Sequence, residues 1–76
     1  MVFDKVREVI SGQLGIAEDK IKMTTSFTDD LGADSLDIFQ VVSELEEIFD
    51  LEFSNEDAEK IKVIADAVKY IEDRIE

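Results

Sequence analysis

Ser35 is the residue of this 76-residue chain whose position most invites chemistry, because Asp34 before it and Asp37 after it mark the start of a helix. Backbone N–H groups at a helix N-terminus lack partners, and the positive end of the helix dipole lies there. An anion joined to Ser35 would therefore be stabilised. A serine that attacks a substrate needs a base within hydrogen-bond reach. The chain has no His and no Cys, and its carboxylates and lysines form no recognisable triad. The Ser35 hydroxyl is thus better suited to receive a group than to attack one. The same two absences remove the commonest general base and the usual ligands of transition metals, which argues against a self-contained hydrolase and against a metal site.

On a helical wheel drawn from Asp34 onward, Ile38, Val41, Val42, Leu45, Ile48 and Phe49 share one face at 100° per residue. Ser35 falls beside this stripe at the first helical position. Leu36 and Phe39 lie off the centre of the stripe and close to Ser35, with Glu46 and Glu47 further along that side. Apolar anchors ringed by acids have the character of a docking surface. The competing reading puts Phe39 at the edge of the core and leaves Leu36 an ordinary exposed apolar residue.

The elements that must position this helix follow from periodicity. Phe3, Val6, Val9, Ile10 and Leu14 predict a first helix over about 2–14, punctuated by Gly12 and Gly15. A connection from Gly15 to Ala33 follows with scattered apolar residues and no period, unusually long for a compact domain. Ser26, Asp29 and Gly32 suggest one helical turn within it. The second helix covers about 35–50. Ser54 as a cap with Asp57 three residues on, and a staple-like pairing of Phe53 with Ala58, predicts a short third helix over about 55–60. Ile64, Ala67, Val68, Ile71 and Ile75 predict a fourth over about 63–75, although no Ser, Thr, Asp or Asn stands directly before it. The expected fold is all-α: an irregular four-helix bundle with a short third helix and a long first loop, in one domain spanning 1–76. A domain this small buries only about 60% of its unfolded surface, so no deep catalytic cleft is expected.

The formal net charge is −12, and it is unevenly placed. Between Met23 and Glu59 stand twelve acids and no Lys or Arg, whereas the two flanks hold eight acids and eight bases. The middle of the chain should therefore project a negative field that repels nucleic acid and steers partners carrying basic patches. Left alone, such a run reads as a solvated face. The first residues are charged and lead to no apolar run of signal-peptide or membrane-spanning length, so a cytoplasmic protein with no membrane span is expected.

The segment Asp30-Leu31-Gly32-Ala33-Asp34-Ser35-Leu36-Asp37 resembles the signature around the modified serine of acyl carrier proteins. An Asp-Ser-Leu tripeptide is weak evidence by itself. Here the likeness extends through Leu45-Glu46-Glu47, Phe49-Asp50, Glu56-Asp57-Ala58-Glu59-Lys60-Ile61 and Ala67-Val68-Lys69-Tyr70-Ile71. The resemblance implies a non-enzyme. It implies 4'-phosphopantetheine joined to Ser35 through a phosphodiester, with Asp34 and Leu36 flanking the attachment, by a separate phosphopantetheinyl transferase drawing on coenzyme A. It further implies acyl thioesters on the arm, presented to fatty-acid synthesis enzymes by a monomer that visits each in turn. Docking would use Leu36, Asp37, Phe39, Gln40, Ser43, Glu46 and Glu47. Acyl chains would shelter between helices, past small or branched residues such as Val42, Ala58, Ala65 and Val68.

Several positions depart from the family pattern. Gln40 replaces a usual Glu, Ser43 a Met, Glu44 an Ala and Ile48 a Glu, while Phe39 stands where a smaller Val is common. Phe53-Ser54 replaces an Ile-Pro pair, and Lys62-Val63 replaces the Thr cap of the last helix. None touches the attachment site. They bear instead on which partners dock, and leave open a carrier for a specialised polyketide or aminoacyl pathway. From other classes, an adaptor bundle would carry no modification, and a calcium sensor fails on spacing: from Asp29 or Asp30, the EF-hand pattern breaks at its third or fifth position and finds no Gly at the sixth.

Overall fold

The computed structural model describes residues 2–75. Four helices follow one another: α1 (Val2–Leu14), α2 (Ser35–Phe49), α3 (Asn55–Glu59) and α4 (Ile64–Ile75). α1 packs against both α2 and α4, and α3 packs chiefly against α2. The described residues form no strand, so the all-α four-helix expectation holds, with the short third helix and the long first loop.

Helical spacing sets the core. Val6 and Ile10 of α1, Val41 and Leu45 of α2, and Ile64, Val68 and Ile71 of α4 are almost wholly buried. Ile48 departs from the predicted stripe, at 42% exposed. Leu45 and Phe49, four residues apart, hold the inner line, and Ile48 is left at the rim of a shallow groove with Val9 and Gln13 of α1.

The helix ends are set by specific side chains. The α1 chain leaves through Gly15 at φ +67°, whose N–H donates to the Ser11 carbonyl at 2.9 Å. α2 stops one residue before the predicted end because Asp50 takes a left-handed conformation, φ 53°, with its N–H on the Glu46 carbonyl. Ser54 Oγ accepts from the Asp57 N–H at 3.1 Å and starts α3, which closes at Glu59 with Lys60 as its cap. α4 is capped from within. Asp66 Oδ2 accepts from the N–H groups of Lys62 and Val63, at 2.9 and 3.2 Å, and thereby does the work of the absent Ser or Thr.

The long connection between α1 and α2 is tied down along its length. It contains a 3-10 turn at Glu18–Lys20 that periodicity does not reveal. Ile21 and Phe27 are each 1% exposed and fill the core from the loop side. Thr25, the one buried polar residue among those described, accepts from the Lys22 N–H at 2.8 Å. Three backbone hydrogen bonds then join the loop to the α3–α4 connection and the first turn of α4: Phe27 N–H to Lys62 O (3.0 Å), Ile64 N–H to Thr25 O (3.0 Å) and Ala65 N–H to Met23 O (2.9 Å). The turn expected around Ser26 forms without becoming a helix. Ser26 Oγ accepts from Asp29 N–H, Asp30 Oδ2 accepts from Ser26 N–H, and the chain leaves through Gly32 at φ +66°.

Phe27 is therefore a keystone. Phe27→Ala should cost about 3–5 kcal/mol, as for a fully buried ring whose space cannot collapse, and urea denaturation followed by circular dichroism should show the midpoint falling accordingly. A loss under about 1 kcal/mol would mean that the loop closes without the ring.

Candidate functional site

Ser35 occupies the first turn of α2, held from both directions. Behind it, the buried Ala33 donates its N–H to the Phe27 carbonyl at 2.8 Å, so the segment leading to the serine is anchored on the loop's keystone. Around it, Asp34 Oδ1 accepts from the Asp37 N–H at 3.0 Å while Asp37 Oδ2 accepts from the Asp34 N–H at 3.3 Å. This reciprocal pair satisfies two donors of the helix start with two carboxylates. Ser35 is exposed, and neither its hydroxyl nor the N–H groups of Ser35 and Leu36 find a protein partner among the described hydrogen bonds. An oxygen placed on Ser35 thus meets free amides and the positive end of α2.

A cavity of about 270 Å³ opens beside the serine. Ser35, Ile38 and Phe39 of α2 form one wall, and Ala58 of α3 with Ile61 beyond it form the other. Of the four core residues expected to shelter a chain, only Ala58 lines this space. Val42 and Val68 are buried in the core and Ala65 is half-buried, all outside the cavity wall, because the opening lies between the start of α2 and the α3–α4 connection.

The residues expected to face partners divide into two groups. Leu36, at 65% exposed, and Phe39, at 43%, stand out beside Ser35, and Gln40, Ser43 and Glu47 are exposed further along α2. Ser43, Glu46 and Glu47 share a shallow groove with Asp50, Leu51 and Glu52, which makes its rim strongly acidic. Asp37 and Glu46 are half-buried and already engaged. Asp37 completes the cap, and Glu46 Oε2 accepts the Phe53 N–H at 2.7 Å, tying the α2–α3 connection to α2. Glu46 therefore holds structure, a role seven residues away in sequence that helical spacing does not suggest.

Comparison with known proteins accords with this geometry. Residues 4–71 match the family model described as the phosphopantetheine attachment site. An acyl carrier protein of Clostridium acetobutylicum is 55% identical over 71 residues, covering 93% of this chain and 92% of its own. One from Bdellovibrio bacteriovorus is 52% identical over the same length, covering 93% and 91%. The chain belongs to the acyl carrier protein family. A solved structure of a Mycobacterium tuberculosis protein described as an acyl carrier superposes with a TM-score of 0.90 at 31% identity, covering 97% of this chain and 99% of that one. The protein is accordingly a carrier of phosphopantetheine and not an enzyme. The surroundings of Ser35 fit such a group: an exposed hydroxyl, unpaired amides for a phosphate, and a cavity beside it lined in part by Ile38, Phe39, Ala58 and Ile61. No helix among the described residues is long and apolar enough to cross a membrane.

A cluster that no local sequence pattern announces ties the α2–α3 connection and α3 to α4. Phe53 and Tyr70 stack with centroids 4.2 Å apart, and the Tyr70 hydroxyl donates to the Glu52 carbonyl at 3.1 Å. Arg74 lies over the Tyr70 ring, donates to its hydroxyl at 2.9 Å and approaches Asp57 Oδ2 at 3.8 Å. The Asp57 carboxylate is held below its ordinary range, first by Ser54 at the start of α3, with the neighbouring Tyr70 hydroxyl and the charges of Lys60 and Arg74 adding. Arg74 is raised, chiefly through its hydrogen bond to Tyr70, and stays charged throughout.

A carboxylate lowered by folding stabilises the fold where the unfolded Asp is already ionised, and that contribution disappears as pH falls through the lower, folded value. The stability difference between wild type and Asp57→Asn should be level from about pH 7 to 5 and shrink below about pH 4. Urea denaturation at stepped pH measures it, and a difference that persists undiminished to pH 2 would remove Asp57 from the account.

Proposed function

We propose that Ser35 is the attachment point of the arm, and that the chain presents acyl intermediates to the enzymes of fatty-acid synthesis as a cytoplasmic monomer. The observation that carries the attachment is an exposed serine at the first position of a helix, with free amides beside it and a partly apolar cavity at its side. In the loading step the Ser35 oxygen attacks a phosphorus of coenzyme A. A P–O bond to serine forms, the pyrophosphate P–O bond breaks, the nucleotide portion leaves, and the hydroxyl proton passes to a base on the separate transferase. This chain lacks a His or Cys to do that work itself. The bound group supplies a terminal thiol that holds the acyl chain as a thioester.

The chain's own residues do the rest. Asp34 and Asp37 fix the direction in which α2 begins, and hence the position of the Ser35 oxygen, without using its amide or that of Leu36. Leu36 and Phe39 offer apolar contacts beside the attachment point, while Gln40, Ser43 and Glu47 shape the surface along which partners settle. Basic patches on those partners are drawn in by the twelve acids of the central segment.

Intact mass tests the attachment. Unmodified wild type incubated with coenzyme A, magnesium and a broad-specificity phosphopantetheinyl transferase should gain the mass of one phosphopantetheinyl group, and Ser35→Ala should gain nothing while keeping its helical spectrum. No gain on either, with the transferase active on a control carrier, would overturn the proposal.

Steering is tested at Glu47, since Glu46 is occupied by Phe53. Glu47→Lys should raise the transferase KM several-fold at low salt, with the defect fading as salt rises and screens the wild-type attraction. Equal KM values at low salt would dissociate Glu47 from docking.

A further inference from the structure

We infer that Phe39 sets the length of acyl chain this carrier can shelter, by standing as a partial stopper in the mouth of the cavity beside Ser35. The inference rests on the proposed attachment at Ser35 and deepens it by naming a substrate class, linear acyl groups of medium length.

The cavity wall is made of side chains of very different size. Ala58 and Ile61 form one side and Ser35, Ile38 and Phe39 the other, with the exposed Thr28, Glu59 and Lys62 adding polar groups. Phe39 is the largest of these and the only aromatic among the residues lining the cavity. It is 43% exposed, so its ring is divided between solvent and the cavity rim, with no aromatic partner among the described residues. A ring in that position narrows the opening when it lies inward and clears it when it turns outward, a rotation open to a half-exposed side chain. The wall opposite carries less bulk at the opening, because Ala58 and Ile61 are both 5% exposed and turned into the packed interior.

Volume gives the scale. A dry apolar cavity of about 150 Å³ accepts one benzene, six carbon atoms. By proportion, about 270 Å³ has room for roughly ten carbons when filled completely. This space is open at its mouth, where the end of the arm must also pass, so roughly six to eight carbons fit before the chain must double back or protrude. Apolar carbons taken out of water should stabilise the fold until the cavity is full and add nothing, or destabilise it, beyond that point.

The experiment is a thermal series on the isolated carrier. Wild type, Phe39→Ala and Phe39→Trp are loaded on Ser35 with saturated chains of four to fourteen carbons, and loading is verified by intact mass. The Tm of each is then compared with that of the same protein bearing the bare arm. Wild-type Tm should climb to about six to eight carbons and then level or fall. Phe39→Ala, which frees the part of the ring inside the mouth, should move that turning point about three carbons longer, and Phe39→Trp should move it shorter. Ile48→Ala, which removes an exposed apolar side chain from the same helix away from the cavity, should leave the turning point where it is.

Partners are absent from this measurement, so a docking role for Phe39 cannot produce the shift. The same turning point in wild type and both Phe39 variants would overturn the inference and leave Phe39 a docking residue. A Tm that ignores chain length despite verified loading would overturn it by showing that the cavity takes no chain, while the carrier reading stands. Failure to load Ser35 at all would overturn both.

Discussion

Three backbone hydrogen bonds between residues 23–27 and 62–65, with the Phe27 ring buried beneath them, carry more of this molecule than their number suggests. A connection running from Gly15 to Ala33 has substantial conformational freedom to lose, and the helices alone cannot restrain its middle. Pinning it there fixes where Phe27 lies. Phe27 in turn accepts the Ala33 N–H, and Ala33 leads directly to the Asp34–Asp37 cap and Ser35. The same contact fixes the α3–α4 connection, which supplies Ile61 and Lys62 to the other wall of the cavity. Both sides of the cavity beside Ser35 are therefore referred to one joint. Had the loop been anchored elsewhere, the serine and the wall it faces would have no fixed relation.

Charge works against that economy. Twelve uncompensated negative charges in a chain of 76 residues repel one another in the folded state. The protein spends some of its carboxylates as hydrogen-bond acceptors for stranded backbone donors: Asp34 and Asp37 at α2, Asp66 at α4, Asp30 in the loop, Glu46 at the α2–α3 connection. Each such bond to a charged acceptor offsets part of the repulsion. Glu47, exposed on α2, takes part in none of these bonds.

What the sequence disclosed follows the range of the interactions involved. Asp34 and Asp37 around Ser35, and Ser54 with Asp57, act over three residues and were legible. So was the α2 stripe except at Ile48, where a choice between two helix edges is made by α1 and not by α2 itself. Asp66 is not legible as a cap because its carboxylate reaches backward from inside α4 to donors that precede the helix. The pairing of Glu46 with Phe53, the Phe53–Tyr70 stack and the joint between the loop and α4 link residues far apart in the chain, and no local pattern announces them. The cavity wall belongs to the same class: Ala58 was anticipated, but the remaining positions depended on where the loop and α3 come to rest.

α3 is a single turn of five residues with one fully buried side chain, Ala58. Its ends are secured by a Ser54 hydroxyl and by Asp57 near Arg74, contacts that are water-accessible and individually weak. The free energy needed to lift such a turn lies far below that needed to unfold the bundle, since the α1–α2–α4 core need not be disturbed. Local opening of such a segment belongs to the microsecond-to-second range, set apart from the lifetime of the whole fold. On the proposed reading, an acyl chain held in the cavity would enter and leave it many times within a single residence of the protein in its native state.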